Sequence, residues 1–281
     1  MSGEKTVNQI RDMKKEGKKI VMLTAYDFPF ASIIDKSGVD IILVGDSLAN
    51  VVLGLPSTRD VDIDVMLHHA RAVNRGVKKA LLVGDMPYSS YQLDTKKAVK
   101  DAKRFVEEAG CAAVKLEWFD NCITVTQEII NSGIPVMNHV GLTPQTADKL
   151  GGFKVQGKDA EAAERIMEQA RALESAGCFS IVLECVPDRL AEIITRELQI
   201  PTISCGAGPY CDGQVLVTHD LVGLFEGKTP KFAKRYVDVG KLVEEGVKQF
   251  CADVRDNRYP DQAHSYSISE EELKKLRDKV L

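Results

Sequence analysis

DIILVGDS, at residues 40–47, is the segment whose pattern indicates the architecture of the whole chain. A run of aliphatic residues ends in a glycine and an acid, and ALLVGDMP at residues 80–87 repeats the pattern. The apolar residues are continuous rather than alternating, which is typical of a parallel strand covered on both faces. Each segment therefore predicts a buried strand that carries a carboxylate, Asp46 or Asp85, at its carboxyl end.

Six further apolar runs occur along the chain, and segments with helical spacing separate them. The runs are KIVMLTAYD (19–27), CAAVKLEW (111–118), PVMNHVG (135–141), SIVLECV (180–186), PTISCGAG (201–208) and a weaker KFAKRYVDV (231–239). Apolar residues at helical spacing, followed by glycines, predict helices at residues 28–38, 62–76, 95–110 and 159–177. Eight strands that alternate with helices predict a (β/α)8 TIM barrel.

An open doubly wound sheet is the competing topology. Such a sheet usually has a G-x-G-x-x-G turn after its first strand, and no such turn follows residues 19–27. No shift in composition marks a boundary between domains. We therefore expect a single barrel domain over residues 1–281, with a C-terminal helix at about 269–280 that Ser269 caps.

Composition and charge exclude several classes of function. The 37 basic and 41 acidic residues are interspersed and the net charge is -4, so no basic stripe could follow a nucleic-acid backbone. No apolar run approaches the roughly 20 residues that cross a bilayer, and the polar N-terminus lacks the apolar core of a signal peptide. The seven cysteines form no C-x-x-C pair, which predicts reduced thiols. We expect a cytoplasmic protein that binds neither nucleic acid nor membranes.

Polar side chains stand at the carboxyl ends of the predicted strands, where the active site of an α/β barrel lies. They are Asp27, Asp46, Ser47, Asp85, Lys115, Glu117, Asn138, His139 and Glu184. Clustered carboxylates repel one another, and a hard divalent cation such as Mg²⁺ offsets the repulsion while taking oxygen ligands. Asp46 and Asp85 are the predicted ligands, with Glu117 as a third ligand or a water-bridged partner. No His/Cys set has the spacing of a zinc site.

A different explanation exists for some of these acids. A single acid at a strand end is more often a helix N-cap or a turn residue than a metal ligand. This explanation suits Asp27. It suits Asp46 and Asp85 less well, because each follows a glycine and because Lys115 and Glu117 are expected in the same layer. Lys115 has the alternative role of neutralising Glu117 as an ion pair in the core.

A long ordered series of motifs resembles the ketopantoate hydroxymethyltransferase family. The series spans roughly residues 5–260, and one departure from it is Pro56, which replaces an expected acid in a surface turn. The motifs are LTAYD (23–27), ILVGDSL (42–48), VGDMPY (83–88), AVKLE (113–117), GIPVMNHVGLTPQ (133–145), GGFKVQG (151–157), VLECVP (182–187) and CGAGPYCDGQVLVTHDLVGL (205–224).

The resemblance implies a barrel of the phosphoenolpyruvate mutase and isocitrate lyase kind. It implies a magnesium enzyme that moves a one-carbon unit from 5,10-methylenetetrahydrofolate onto 3-methyl-2-oxobutanoate by way of a magnesium-stabilised enolate. The product is 2-dehydropantoate, on the route to pantothenate and coenzyme A. The implied partners are these small-molecule substrates and further copies of the chain, in a homo-oligomer that is often a decamer.

The resemblance also implies roles for individual residues. Asp46 and Asp85 match the metal-binding acids, and Glu117 matches the third acid, directly or through water. Glu184 matches the general base that takes the proton from carbon 3, and its apolar context is one in which burial raises the pKa of a carboxyl group. The positions expected to bind substrate are Asp46, Ser47, Asp85, Lys115 and His139.

Two features have more than one interpretation. His139 is the only histidine at a strand end, and it could orient either Glu184 or the new hydroxyl group of the product. The glycines of GGFKVQG (151–157) suit a mobile flap that closes over substrate, or equally an ordinary surface loop.

Two alternative functions stay open. One is a related magnesium-dependent carbon–carbon lyase, although such lyases carry a KKCGH-type loop with a catalytic cysteine and this sequence has none. The other is a non-catalytic barrel that binds a 2-oxo acid. The complete series of strand-end acids with Lys115 argues against that second alternative.

Overall fold

A computed structural model describes residues 4–148, 150–225, 227 and 229–280 of the chain. Its centre is a closed barrel of parallel strands that pair in sequence order, with the last strand pairing with the first. The strands are β1 (Ile20–Thr24), β2 (Ile41–Val44), β3 (Leu81–Asp85), β4 (Ala113–Glu117), β5 (Val136–Gly141), β6 (Ser180–Glu184), β7 (Thr202–Cys205) and β8 (Gly213–Leu216). The predicted eight-stranded barrel is confirmed.

Helices connect the strands, and those predicted from helical spacing begin and end within a few residues of the predicted bounds. The α-helices of the described residues are α1 (Val7–Lys15), α2 (Phe28–Lys36), α3 (Leu48–Val51), α4 (Ile63–Gly76), α5 (Tyr88–Tyr91), α6 (Thr95–Glu107), α7 (Cys122–Asn131), α8 (Ala160–Ser175), α9 (Asp188–Glu197), α10 (Thr218–Leu221), α11 (Val239–Arg255) and α12 (Glu270–Val280). Side-chain caps explain several starts. Asp27, for example, accepts a hydrogen bond from the backbone N–H of Phe30 at 2.8 Å, so it caps α2 as the N-cap explanation expects. Ser269 likewise accepts one from the backbone N–H of Glu272 at 3.3 Å before α12.

The position predicted for the eighth strand was wrong. Residues 231–238 form a turn and irregular backbone, and residue 239 begins α11. The lysines and arginine of this segment could not enter a barrel wall without losing water. The true β8 pairs with β1, with Gly213 opposite Ile20. A Cβ on Gly213 would lie 2.5 Å from the carbonyl oxygen of Ile20, so glycine permits the close approach that shuts the barrel.

Two apolar clusters hold the barrel together. One lies between the strands and the surrounding helices. The other fills the interior and includes Ile10 of α1, which is fully buried, together with inward side chains such as Met22, Leu43 and Val83. Because this interior is apolar, the polar strand-end residues collect above it at the carboxyl ends of the strands.

None of the helices within the described ranges is long and apolar enough to span a membrane.

Candidate active site

The barrel brings the predicted site residues together at one mouth. Asp46 and Ser47 follow β2, Asp85 ends β3, and the remaining residues lie on the next three strands: Lys115 and Glu117 on β4, His139 on β5 and Glu184 on β6. All of them are buried except Ser47, which is half-buried, and Glu184, whose side chain is 16% exposed. Asn138, like Asp27, is a strand-end residue that does not join this group. Its side chain faces α7, where it donates to Oγ1 of Thr126 at 3.0 Å.

Lys115 pairs with Asp85. Its Nζ lies 2.9 Å from Oδ1 and 3.1 Å from Oδ2 of Asp85, the residue opposite it in the β3–β4 register. The alternative in which Lys115 neutralises Glu117 as its ion-pair partner is therefore wrong. Burial alone lowers the pKa of Lys115, but Asp85 and the other nearby carboxylates raise that pKa by more, so the ammonium stays charged.

Within the described part of the chain, no side-chain cation forms an ion pair with Asp46, because Lys115 pairs with Asp85 instead. Oδ2 of Asp46 accepts a hydrogen bond from Nε2 of Gln145 at 2.9 Å, and the backbone N–H of Asp46 donates to Oδ2 of Asp85 at 3.3 Å. Burial raises the pKa of Asp46 well above the ordinary range, and the charges of Asp85 and Glu117 raise it further. The mouth thus has more carboxylates than Lys115 can balance.

The donor set of this mouth fits a hard divalent cation. It offers carboxylate oxygens with an excess of negative charge, which is the chemistry that Mg²⁺ takes. Across the described ranges, no set of three or more His, Cys, Asp or Glu side chains is placed to hold a metal ion. A cation here would therefore have few protein ligands, and Asp46 and Asp85 are the candidates. Water or substrate oxygens would supply the other ligands. Magnesium commonly binds in that way.

Glu117 has other contacts that suit the water-bridged form of its predicted role. Its Oε2 accepts a hydrogen bond from the backbone N–H of Gln145 at 3.0 Å, and its Oε1 lies 3.5 Å from Nδ1 of His139. Burial raises the pKa of Glu117 to about 8, although the charge of Lys115 opposes this.

His139 lies between two acids. Its Nε2 is 3.3 Å from Oε2 of Glu184, on the side opposite Glu117, and within the described part of the chain neither ring nitrogen has a well-formed hydrogen bond. Burial lowers the pKa of His139 to about 4 and raises that of Glu184 to about 7. A neutral imidazole has one N–H, so it donates to one carboxylate and accepts from the other acid only when that acid is protonated. The arrangement can therefore hold and pass a proton at Glu184.

Ser47 is held by a tyrosine. Its Oγ and the hydroxyl group of Tyr26 are 2.8 Å apart, and Tyr26 is buried. The bond fixes the Ser47 side chain at the start of α3, beside Asp46. This is a position from which a hydroxyl and the first backbone N–H groups of a helix can face an anionic group.

Gln145 and Tyr91 belong to the site although sequence reasoning did not select them. The Tyr91 hydroxyl donates to Oε1 of Gln145 and accepts from the backbone N–H of Glu117 at 3.2 Å. Both side chains are fully buried. The only signal in the sequence was that Gln145 ends the motif GIPVMNHVGLTPQ, in which a polar residue after a proline resembles an ordinary turn residue.

Comparison with known proteins identifies the family. Residues 4–262 match the family model described as ketopantoate hydroxymethyltransferase. A 3-methyl-2-oxobutanoate hydroxymethyltransferase from Syntrophomonas wolfei is 50% identical over 271 residues, which cover 96% of this chain and 98% of that relative.

Solved structures share the fold at low identity. A phosphonopyruvate hydrolase in complex with oxalate and Mg²⁺ is 15% identical with a TM-score of 0.59, covering 98% of this chain and 96% of that chain. A 2,3-dimethylmalate lyase, described as a member of the PEP mutase/isocitrate lyase superfamily, is 13% identical with a TM-score of 0.59, covering 98% and 99%. The expected barrel type is thus confirmed. With its closed barrel and a family match over nearly its whole length, the chain belongs to an enzyme family, the ketopantoate hydroxymethyltransferases.

Proposed function

We propose that this chain transfers the one-carbon unit of 5,10-methylenetetrahydrofolate to carbon 3 of 3-methyl-2-oxobutanoate, giving 2-dehydropantoate. The observation that carries the proposal is the convergence of Asp46, Asp85, Lys115 and Glu184 at one barrel mouth, in a chain of this family. Asp46 and Asp85 would hold Mg²⁺ and, with it, the 2-oxo acid. Glu117 would contribute through water.

Removal of the proton from carbon 3 is the difficult step. A bound Mg²⁺ ion would supply Lewis-acid stabilisation of the negative charge that develops on the keto oxygen. Lys115, which stays charged beside Asp85, adds positive charge to the same region. Glu184 takes the proton as its carboxylate, and a pKa of about 7, raised by burial, suits a base that works near neutral pH. Carbon 3 then forms a bond to the methylene carbon, whose bonds to the two folate nitrogens break. One water molecule supplies the hydroxyl group of the product, and its second proton, together with the proton from carbon 3, restores the two N–H groups of tetrahydrofolate.

His139 and Ser47 would orient these groups. Nε2 of the imidazole lies 3.3 Å from Oε2 of Glu184, so it would keep the carboxyl group turned toward the mouth and accept a hydrogen bond from Glu184 when that acid is protonated. This favours the first of the two roles considered for His139. Ser47, fixed by Tyr26, would bind the substrate carboxylate.

The segment at residues 151–157 would act as a flap. Its far end is anchored next to the proposed base, because the backbone N–H of Gln156 donates to the carbonyl oxygen of Cys185 at 2.9 Å. Phe153 near its tip is 77% exposed. An aromatic side chain that large is suited to cover a bound substrate and exclude water when the segment closes.

The proposal is tested by incubating the full chain with 3-methyl-2-oxobutanoate, 5,10-methylenetetrahydrofolate and Mg²⁺. We expect 2-dehydropantoate, identified by mass spectrometry, and dependence on all three components. Cleavage of a carbon–carbon bond in a longer 2-oxo acid would favour the lyase alternative. Binding of the oxo acid without any product would favour a non-catalytic barrel.

The pH dependence of the reaction should report Glu184. Because the base works as a carboxylate and burial raises its pKa to about 7, the rate should rise with pH and level off above that value. The rate rises with pH because the protonated acid, which is the form present at low pH, cannot accept the proton of carbon 3. Rates of C3 hydrogen exchange at saturating substrate check this. An ordinary glutamate, with a pKa of about 4.3, would instead give a flat profile down to about pH 5.5.

We further propose that the protein acts in the cytoplasm and as a homo-oligomer. All seven cysteines are free, which suits a reducing compartment. Helix α11 has no buried residue, yet a stripe of apolar side chains runs along it: Leu242, Val243, Val247, Phe250 and Val254. An exposed apolar stripe of this length indicates a surface that another protein surface covers. A second copy of the chain is the partner that fits the decamer implied by the resemblance.

Substitution on α11 should weaken that assembly. Val247→Glu places a charge within the apolar stripe and should shift the mass measured by light scattering toward the monomer. Lys248→Glu, which changes charge on the neighbouring exposed position, is the matched control and should leave the mass unchanged. A chain that is monomeric at all concentrations before any substitution would contradict the homo-oligomer.

A further inference from the structure

Gln145 is a fully buried glutamine that contacts two of the site carboxylates. It lies in the short turn Pro144–Thr146 that follows β5. Its Nε2 donates to Oδ2 of Asp46 at 2.9 Å and to the carbonyl oxygen of Met86 at 3.1 Å. Its backbone N–H donates to Oε2 of Glu117 at 3.0 Å. One residue outside the predicted ligand set thus connects the ends of β2, β3, β4 and β5.

Tyr91 determines which way the amide of Gln145 faces. The Tyr91 hydroxyl accepts a hydrogen bond from the backbone N–H of Glu117 at 3.2 Å, so its own hydrogen is available for Oε1 of Gln145. The amide nitrogen then faces two acceptors, the Asp46 carboxylate and the Met86 carbonyl group. A flipped amide would set its oxygen against the Met86 carbonyl oxygen, which cannot donate a hydrogen bond, and against the Asp46 carboxylate. The orientation of Gln145 is therefore fixed by partners on both sides.

We propose that Gln145, oriented by Tyr91, is a positioning residue that aims the Asp46 carboxylate at the divalent cation. The amide holds Oδ2 of Asp46, which makes Oδ1 the candidate oxygen for the cation. The proposal rests on the proposed function only in taking this mouth to be a metal site. Groups that form a hydrogen bond to a metal ligand and so fix its orientation typically contribute 10- to 100-fold to metal affinity or activity.

The opposing explanation is that Gln145 and Tyr91 only satisfy buried polar groups. In that case their loss would lower the stability of the fold, as loss of any buried hydrogen bond does, and metal affinity would not change. The two explanations therefore differ in metal affinity, which can be measured without turnover.

Mn²⁺ titrations of the full chain, followed by the electron paramagnetic resonance signal of the free ion, provide the test. Gln145→Met keeps the length of the side chain but removes its donors and acceptor, and we expect Mn²⁺ affinity to fall by about tenfold or more. Tyr91→Phe removes only the hydroxyl group and should cause a smaller loss. The double variant should bind Mn²⁺ as Gln145→Met does, because the tyrosine acts through the glutamine.

Ser180→Ala is the matched control, because Oγ of Ser180 donates to the carbonyl oxygen of Pro201 at 2.9 Å in the core, at the start of β6. It should lower stability and leave Mn²⁺ affinity unchanged. If Gln145→Met behaves like this control, or if the unaltered chain binds no Mn²⁺, the positioning role is overturned. Additive losses in the double variant would overturn the action of Tyr91 through Gln145. If the variants change Mn²⁺ affinity as expected but the unaltered chain makes no 2-dehydropantoate, only the proposed function is contradicted.

Discussion

Glu184→Gln should abolish exchange of the C3 hydrogen of 3-methyl-2-oxobutanoate with deuterated water. Glutamine keeps the size of the side chain at the end of β6 but cannot accept a proton, and a positioned general base contributes about 10²- to 10⁴-fold. Binding of the oxo acid should persist, because the proposed contacts of its keto and carboxylate oxygens lie with Lys115, Ser47 and the cation. Proton NMR measures the exchange, and calorimetry measures the binding.

Glu197→Gln is a suitable control for this substitution. Glu197 pairs with Arg171 on the outer surface, so its loss alters a surface ion pair and leaves the mouth untouched. The control should exchange the C3 hydrogen at the rate of the unaltered chain. If Glu184→Gln also exchanges at that rate, Glu184 is not the base.

Asp46→Asn and Asp85→Asn should both remove magnesium-dependent turnover, but they should differ in stability. Loss of Lewis-acid stabilisation worth several kcal/mol lowers turnover by about 10³-fold or more in either variant. Asp85→Asn also leaves the buried ammonium of Lys115 without its partner, which costs about 3–5 kcal/mol in the free energy of unfolding. Asp46→Asn removes repulsion among buried acids, so it should unfold at a urea concentration no lower than that of the unaltered chain.

Asp35→Asn separates these two effects. Asp35 is buried at the opposite end of the barrel, where Oδ1 accepts hydrogen bonds from the backbone N–H groups of Lys79 and Ala80, each at 2.9 Å. This variant should lose stability and keep its magnesium requirement. Near-normal magnesium-dependent turnover in Asp46→Asn would show that Asp46 is not a metal ligand.

Strands β2, β3 and β4 are buried along their whole length. The seven strands predicted in their correct places share one property, an apolar run that stands out in the sequence. The eighth strand lacks it, because β8 begins with Gly213 and Gln214 and contributes few apolar residues. This segment forms a strand because it pairs with β1 where the barrel closes. That contact joins opposite ends of the chain, and no local pattern can reveal it.

The candidate site likewise contains residues that a local sequence pattern predicts and residues that only the folded structure brings together. The acids at the strand ends were predictable, because parallel strands bring their carboxyl ends to one mouth. The pairing of Lys115 with Asp85 follows from the register of β3 against β4, which local sequence does not encode. Gln145 and Tyr91 lie in short elements beyond the strands and meet only because the fold joins positions 54 residues apart. Hydrogen-bond partners of this kind require three-dimensional structure.

Exchange of the C3 hydrogen by the unaltered chain is the measurement on which the proposed chemistry depends most. The oxo acid is followed by NMR in deuterated water, with Mg²⁺ or with EDTA, and with or without tetrahydrofolate. We expect exchange in the presence of Mg²⁺, its loss with EDTA, and its recovery when Mg²⁺ is restored. Absence of exchange under every condition, or exchange that EDTA does not affect, would contradict a magnesium-dependent removal of the C3 proton at this barrel mouth.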